Sequence, residues 1–203
     1  MAAARAGPVA GIVLAAGAST RMGRNKLLLT LGGQALVRRA ASCATDAGLD
    51  PVIVVLGHEA AAVSEELRGL PCRRVVNPDH REGMSSSLRA GIAALPADAA
   101  AAVVVLADMP LVTADMLATL VERYRARDAP LVASAYGGVI APPILYDRTL
   151  FSELLTLDGD GCGKRVVRRH RDEAIIIDWP AAHLADLDTP DDYERMSART
   201  EAR

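Results

Sequence analysis

Apolar positions along this chain fall into short continuous runs separated by stretches of helical period. Val9–Ala15, Pro51–Leu56 and Val103–Leu106 are unbroken apolar runs, rich in β-branched residues in the last two. Such runs suit strands of a parallel sheet buried on both faces. Between them apolar residues recur with helical spacing, from Gln34 to Ala47 with Gly48 placed as a C-terminal cap, from Glu59 to Leu67, and from Leu88 to Ala94. A short strand is expected at Arg73–Val76, and a helix over Ala114–Arg127. Thr113 is its cap, with Asp115 in the first turn. Beyond Ala129-Pro130 the pattern predicts strands at Leu131–Ala135 and Val139–Tyr146 around a Gly137-Gly138 turn, a helix over Thr149–Leu155, a short basic helix, and a last strand at Ala174–Ile177. Thr189-Pro190 then starts a final helix, Thr189 as cap and Pro190 in the first helical position. Alternating strands and helices predict one α/β domain, a Rossmann-like doubly wound and mostly parallel sheet with helices on both faces. Ligands of such sheets sit at the carboxyl ends of the strands.

Bulk properties add limits. The 203 residues suit one domain with a substantial core, expected over residues 8–197 with flexible ends at 1–7 and 198–203. The chain is 51% hydrophobic but only 3% aromatic, so the core is built of Ala, Val, Leu and Ile. A formal charge of −2 argues against nucleic acid or membrane as the main partner, while permitting a local basic site. Cys43, Cys72 and Cys162 are odd in number and share no C-x-x-C spacing, which fits a reducing cytoplasm. The opening segment carries one Arg and a Pro-Val-Ala-Gly interruption before a short apolar run, which argues against a secretory leader. No apolar run reaches the ~18 residues of a membrane helix.

Three stretches carry candidate chemistry. After the first strand comes a loop of small residues, Ala16, Gly17, Ala18 and Ser19, followed by Arg21 and Lys26. Backbone N–H groups there can approach a polyanion closely, Gly17 can take positive φ, and two fixed cations add attraction. The spacing is neither a Walker A loop nor G-x-G-x-x-G. The second stretch, Asn77-Pro78-Asp79-His80-Arg81-Glu82-Gly83-Met84-Ser85-Ser86-Ser87, sets three serines at a helix start as caps, their hydroxyls and N–H groups facing the strand ends. In the third, Val103–Pro110, an apolar strand delivers the carboxylate of Asp108, which is costly unless paired; where phosphates are handled a divalent cation is the usual partner. Asp186-Leu187-Asp188 places two alternate carboxylates on one side of an extended segment.

The first stretch resembles the pattern L-A-A-G-x-S-x-R-M-G-x-x-K that opens the MobA-like nucleotidyltransferases, closest to the molybdenum cofactor cytidylyltransferase branch. Gly83-Met84-Ser85 falls in a segment similar to that family's N-P-x-x-x-x-G-M-S-S-S-L, Asp108 in its L-A-D-x-P, and Asp186–Asp192 in its D-x-D-T-P-E-D. His80 stands where the family often has Trp, Ala141-Pro142-Pro143 where it often has G-x-P, and Cys162 where L-x-G-D-x-G ends in glycine. The resemblance implies transfer of CMP from CTP to a phosphorylated acceptor, molybdopterin, with release of pyrophosphate and use of Mg²⁺. It implies Arg21, Lys26 and Asp108 as catalytic residues. Nucleotide contacts are implied for Leu14, Ala15, Ala16, Gly17, Ser19, Arg21, Lys26, Asn77, Gly83, Met84 and Ser85, and metal contacts for Asp108 with Asp186 or Asp188. A molybdoenzyme is an implied client.

The residues leave other readings open: a non-catalytic carrier of nucleotide or molybdopterin, a nucleotidyltransferase for another phosphorylated acceptor, and a glycosyltransferase using Asp186-Leu187-Asp188 as its D-x-D. The basic cluster Lys164, Arg165, Arg168, Arg169 and Arg171 reads either as a solvated face or as an attractor for a phosphorylated acceptor.

Overall fold

The computed structural model describes residues 7–19, 22–159, 161, 163–187 and 189–201, without the side chains of 199–201. In chain order the strands are β1 (Val9–Ala15), β2 (Thr30–Leu31), β3 (Gln34–Ala35), β4 (Val52–Leu56), β5 (Cys72–Val76), β6 (Ala101–Leu106), β7 (Leu131–Tyr136), β8 (Val139–Asp147) and β9 (Ile175–Trp179). The helices are α1 (Leu36–Asp46), α2 (Ala60–Glu66), α3 (Met84–Ala93), α4 (Ala114–Ala126), α5 (Phe151–Leu154), α6 (Lys164–Arg169) and α7 (Pro190–Glu201). Seven strands form one sheet in the order β5-β4-β1-β6-β8-β7-β9, and β2-β3 is a separate small hairpin. The inner half, β5-β4-β1-β6, is wholly parallel; β8 alone runs antiparallel to both its neighbours.

Strand β1 shows why the apolar runs are continuous. Val9, Val13 and Ala15 face the core under α1 and α4, while Ile12 and Leu14 face the core shared with α3, α5 and α6. With both faces buried, no position along the strand tolerates a polar side chain. Helix α3 lies so close to β1 that a Cβ on Gly91 would stand 2.5 Å from Ile12 Cγ2. That approach requires a residue without a side chain.

Local signals set most boundaries. Helix α4 starts where Thr113 Oγ1 accepts from Met116 N at 3.3 Å. Helix α7 starts with a reciprocal box, Thr189 N donating to Asp192 Oδ2 at 2.9 Å and Asp192 N to Thr189 Oγ1 at 3.3 Å. The helix expected from Gln34 instead begins at Leu36, because Gln34 and Ala35 pair with Thr30 and Leu31 across the Gly32-Gly33 turn. The helix expected over Thr149–Leu155 is a 3₁₀ turn, Arg148–Leu150, leading into the short α5.

The seam between β6 and β8 is incomplete. Pairing covers Ala101–Val104 against Asp147–Ile144 and stops there, although β6 continues to Leu106 and β8 begins at Val139. Across β8 the register with β7 shifts between Ala133 and Ser134, skipping Pro142 and Pro143. Neither proline has an N–H to give to a ladder, so the sheet parts at this point. The parting lies at the end of β6 next to Asp108. Among the described residues, no helix is long and apolar enough to cross a membrane.

Candidate functional site

The carboxyl ends of β1 and β6 frame a cavity of about 530 Å³. Its wall combines the loop after β1 (Ala16, Gly17, Ala18), the strand ends Leu14, Ala15 and Leu106, the turn residues Lys26 and Leu27, Asp108, and one side of the α3 start. That last side comprises His80, Arg81, Gly83, Met84 and Ser87.

Backbone hydrogen bonds hold the first loop against its neighbours. Ala107 N donates to Leu14 O at 3.1 Å and His58 N to Ala16 O at 3.2 Å. A Cβ on Gly57 would meet Ala16 O and His80 Cβ, both at 2.7 Å, so this glycine lets the loop and His80 close on each other. Ser19, not Gly17, takes the left-handed conformation, at φ 50°. Its hydroxyl accepts from Lys26 N at 3.1 Å, so Ser19 fixes the turn that carries Lys26 and is not itself part of the wall. Asn25 completes the turn, its side chain accepting from Leu27 N.

Lys26 follows the loop of small residues as one of its two cations. It sits on the 3₁₀ turn Lys26–Leu28 with only 12% of its side chain exposed, and its Nζ lies 2.6 Å from Asp108 Oδ2. Asp108, 23% exposed, is thus not left free at the strand end but shares a half-buried ion pair inside the cavity. The Asp186–Asp188 segment meets the same place: Leu187 N donates to Asp108 O at 3.2 Å, and Leu187 is buried with Leu31, Leu36 and Met196. Asp186 is exposed beside this contact. It also faces Tyr136 at the end of β7, whose hydroxyl is pushed to a higher pKa by burial first and by the Asp186 charge in addition. Arg21 and Asp188, and with them Asp160 and Cys162, lie outside the described residues.

The second motif divides differently from expectation. Gly83 and Met84 line the cavity, Gly83 at φ 104°, a conformation that side chains resist. The serines do not cap α3: Gly83 is its cap residue without a side-chain bond, and Ser85, Ser86 and Ser87 are buried within the helix. Ser86 Oγ donates at 2.8 Å towards Gly83 O and Asp79 O. Asn77 is 3% exposed and lies beneath the wall, its Nδ2 donating to Ser86 Oγ and Ser87 Oγ at 2.9 and 3.0 Å and its Oδ1 accepting from Asp79 N. Asn77 and Ser85 are therefore absent from the wall; Ser85 N binds Gly159 O. Ala18, Leu27, His80, Arg81, Ser87 and Leu106 are wall residues absent from the implied nucleotide contacts, although all but Leu27 fall within the three stretches. Ser87 could have been found from its spacing, three residues from Met84 on the same helix face.

The arrangement pairs a cradle of small residues and a lysine with a strand-end carboxylate on one side, and an apolar surface of Leu14, Leu106 and Met84 on the other. It suits a molecule with a polyanionic end and a flat, partly apolar end. Residues 11–174 match the family described as MobA-like NTP transferase domain. The chain belongs to the MobA-like NTP transferase family. Two relatives of nearly the same length are the purine catabolism protein PucB of Bacillus subtilis (strain 168) and nicotine blue oxidoreductase of Paenarthrobacter nicotinovorans. PucB is 30% identical over 92% of this chain and 94% of its own. The oxidoreductase is 36% identical over 93% and 96%. Rv0371c from Mycobacterium tuberculosis H37Rv has a crystal structure that superposes with a TM-score of 0.85 at 30% identity, over 96% of this chain and all of that one. A further crystal structure of Rv0371c, at 28% identity and TM-score 0.76 over the same shares, is of a complex with manganese. In the MobA-like fold of this chain, then, the first loop, Lys26 and Asp108 occupy one cavity at the strand ends, as a doubly wound sheet requires.

Proposed function

We propose that this chain transfers CMP from CTP to a phosphorylated acceptor, molybdopterin, and releases pyrophosphate. The observation that carries the reading is the Lys26–Asp108 pair inside a cavity rimmed by the small-residue loop. Family membership supports nucleotidyl transfer as the reaction class.

In this reading the backbone of Ala16–Ala18 and the ammonium of Lys26 hold the triphosphate, and Arg21 adds a second cation. Leu14, Leu106 and Met84 pack against the base. The acceptor phosphate attacks the α-phosphorus in line, and the protein acts mainly by positioning the reactants and balancing their charge. A divalent cation fits the donor set: Asp108 offers a hard carboxylate at a strand end, and the Asp186 segment adjoins it through Leu187. Among the described residues no three His, Cys, Asp or Glu side chains are grouped to hold a metal by themselves, so phosphate oxygens would complete the shell. Asp108, with Asp186 or Asp188, would hold Mg²⁺. When bound, the ion would supply charge neutralisation at the phosphates. The manganese complex of Rv0371c supports use of a divalent ion. A cytoplasmic location and delivery of the product to a molybdoenzyme client belong to the same proposal.

The test is pyrophosphate release from CTP, GTP, ATP and UTP with and without molybdopterin. Release that requires CTP and molybdopterin supports the reading; equal use of CTP and GTP removes the base preference. A second reading rests on the relative named for nicotine blue oxidation or reduction. Reduction of nicotine blue by a nicotinamide dinucleotide, without pyrophosphate release, would favour it.

A further inference from the structure

A second cavity of about 280 Å³ lies between the β7–β8 turn and α6, lined by Gly138, Val139, Ile140, Lys164, Val167, Arg168 and Arg171. Its charge is one-sided. Lys164 and Arg168, at i and i+4, share a face of α6, and Arg171, in the 3₁₀ turn Arg171–Glu173 after it, lines the same cavity. No ion pair joins any of the three to a carboxylate among the described residues. Arg169 and His170 turn the other way and pair with Glu153 of α5. Of the basic cluster, Arg169 is thus held by Glu153, and Lys164, Arg168 and Arg171 line the groove. Val139, 52% exposed, together with Ile140 and Val167 gives the groove an apolar wall.

Topology ties this groove to the first cavity. Strand β7 runs parallel to β6, so the β7–β8 turn stands at the same end of the sheet as Asp108. Leu14 and Val167 belong to the core on one face, Ile140 packs against it, and α3, α5 and α6 all contribute to it. In the order β1-β6-β8, Ile140 stands on the second strand from Leu14. The stretch between them is where β6 and β8 cease to pair, beside Leu106 in the wall of the first cavity.

We propose that the groove receives the far end of the acceptor, and that the acceptor carries a second anionic group there, joined by an apolar body to its attacking phosphate. This rests on the nucleotidyl-transfer reading above. Three cations that pair with no carboxylate among the described residues are the chemistry that recognises an anion, and the apolar wall between them and the seam is the chemistry that recognises what links the two charged ends.

The experiment uses the whole chain, first without nucleotide and then with saturating CTP, and phenyl phosphate as the probe. The methyl resonances of Val139, Ile140 and Val167 report the groove, and those of Leu14 and Leu106 report the first cavity. With CTP bound, phenyl phosphate is expected to shift the groove methyls saturably. R168A/R171A should weaken it about tenfold or more, two charge-assisted bonds being lost, and R168E/R171E should abolish it. Both altered side chains are exposed, so melting temperature and CTP affinity should stay unchanged. No saturable shift of the groove methyls, or equal binding by the variants and the wild type, overturns the proposal. A chain that binds the probe through Arg168 and Arg171 yet releases no pyrophosphate from any nucleotide keeps an anion groove but loses the acceptor assignment. Failure of the nucleotide reading is thereby told apart from failure of the groove.

Discussion

Lys26 Nζ and Asp108 Oδ2 lie 2.6 Å apart although 82 positions of sequence separate the residues. In a half-buried site each charge lowers the cost of burying the other. We expect Asp108→Asn to lower nucleotidyl transfer by roughly 10²-fold or more, as removal of one transition-state charge stabiliser does. CTP affinity in the absence of metal should change far less. Metal-dependent pyrophosphate release at near wild-type rate would remove Asp108 from the chemistry.

Lys26→Ala should weaken triphosphate use and also stability, by about 1–3 kcal/mol, since Asp108 is then left without its cation. Lys26→Ala/Asp108→Ala should recover part of the lost stability while remaining inactive. Chemical denaturation of the single and double variants checks this. A double variant as unstable as the sum of the singles would show that the pair is energetically uncoupled.

Asn77 holds Ser86, Ser87 and the Asp79 amide together from below the wall. Asn77→Ala should therefore lower stability by about 1–3 kcal/mol, the cost of buried groups left without partners. Isothermal titration of the folded variant should show CTP binding weakened much less than Lys26→Ala weakens it. The reverse ranking would make Asn77 a ligand of the nucleotide.

Gly91→Ala places a methyl against Ile12. Thermal unfolding should show a loss of about 1–3 kcal/mol from overpacking, and Ile12→Ala, which removes the Cγ2 that the new methyl meets, should cost less in this chain than in the wild type. Wild-type stability of the Gly91 variant would mean that α3 shifts away from β1 without cost.

Cys43 is pushed up to about 11 by burial, an effect the nearby Arg39 only partly offsets. Below the ordinary thiol value of 9.0 this group adds no pH dependence. As pH rises through 9 towards 11 the folded state holds its proton longer than the unfolded state, so stability falls across that window. Cys43→Ala should flatten that part of the profile. At pH 8 the Cys43 thiol should resist alkylation in the folded chain, measurable by mass spectrometry of the labelled protein.

The inner sheet was legible because burial on both faces leaves no polar position in β1, β4 or β6, and Asp108 was legible because a carboxylate after such a run needs a partner. Which partner was not legible. The Lys26 contact depends on a turn fixed by Ser19 and Asn25, and nothing in the spacing of residues 26 and 108 announces it. Asn77 and the serines misled for a related reason. Polar residues at a strand end look the same in sequence whether they face a ligand or satisfy one another, and packing alone decides. The parting of the sheet at Pro142-Pro143 was hidden too, since the prolines were read only as a departure from a family motif.

That parting also bears on how such a chain can diversify. The outer strands β8, β7 and β9 meet the inner half along four paired positions, Ala101–Val104 against Ile144–Asp147, all remote from the strand ends where the cavity lies. Substitutions or insertions around the β7–β8 turn and α6 can therefore accumulate without disturbing the backbone of the first loop. The molecule thus falls into two territories: an inner one whose backbone fixes the first loop, Lys26 and Asp108, and an outer one tied to it by a short ladder and free to change its turn and helix.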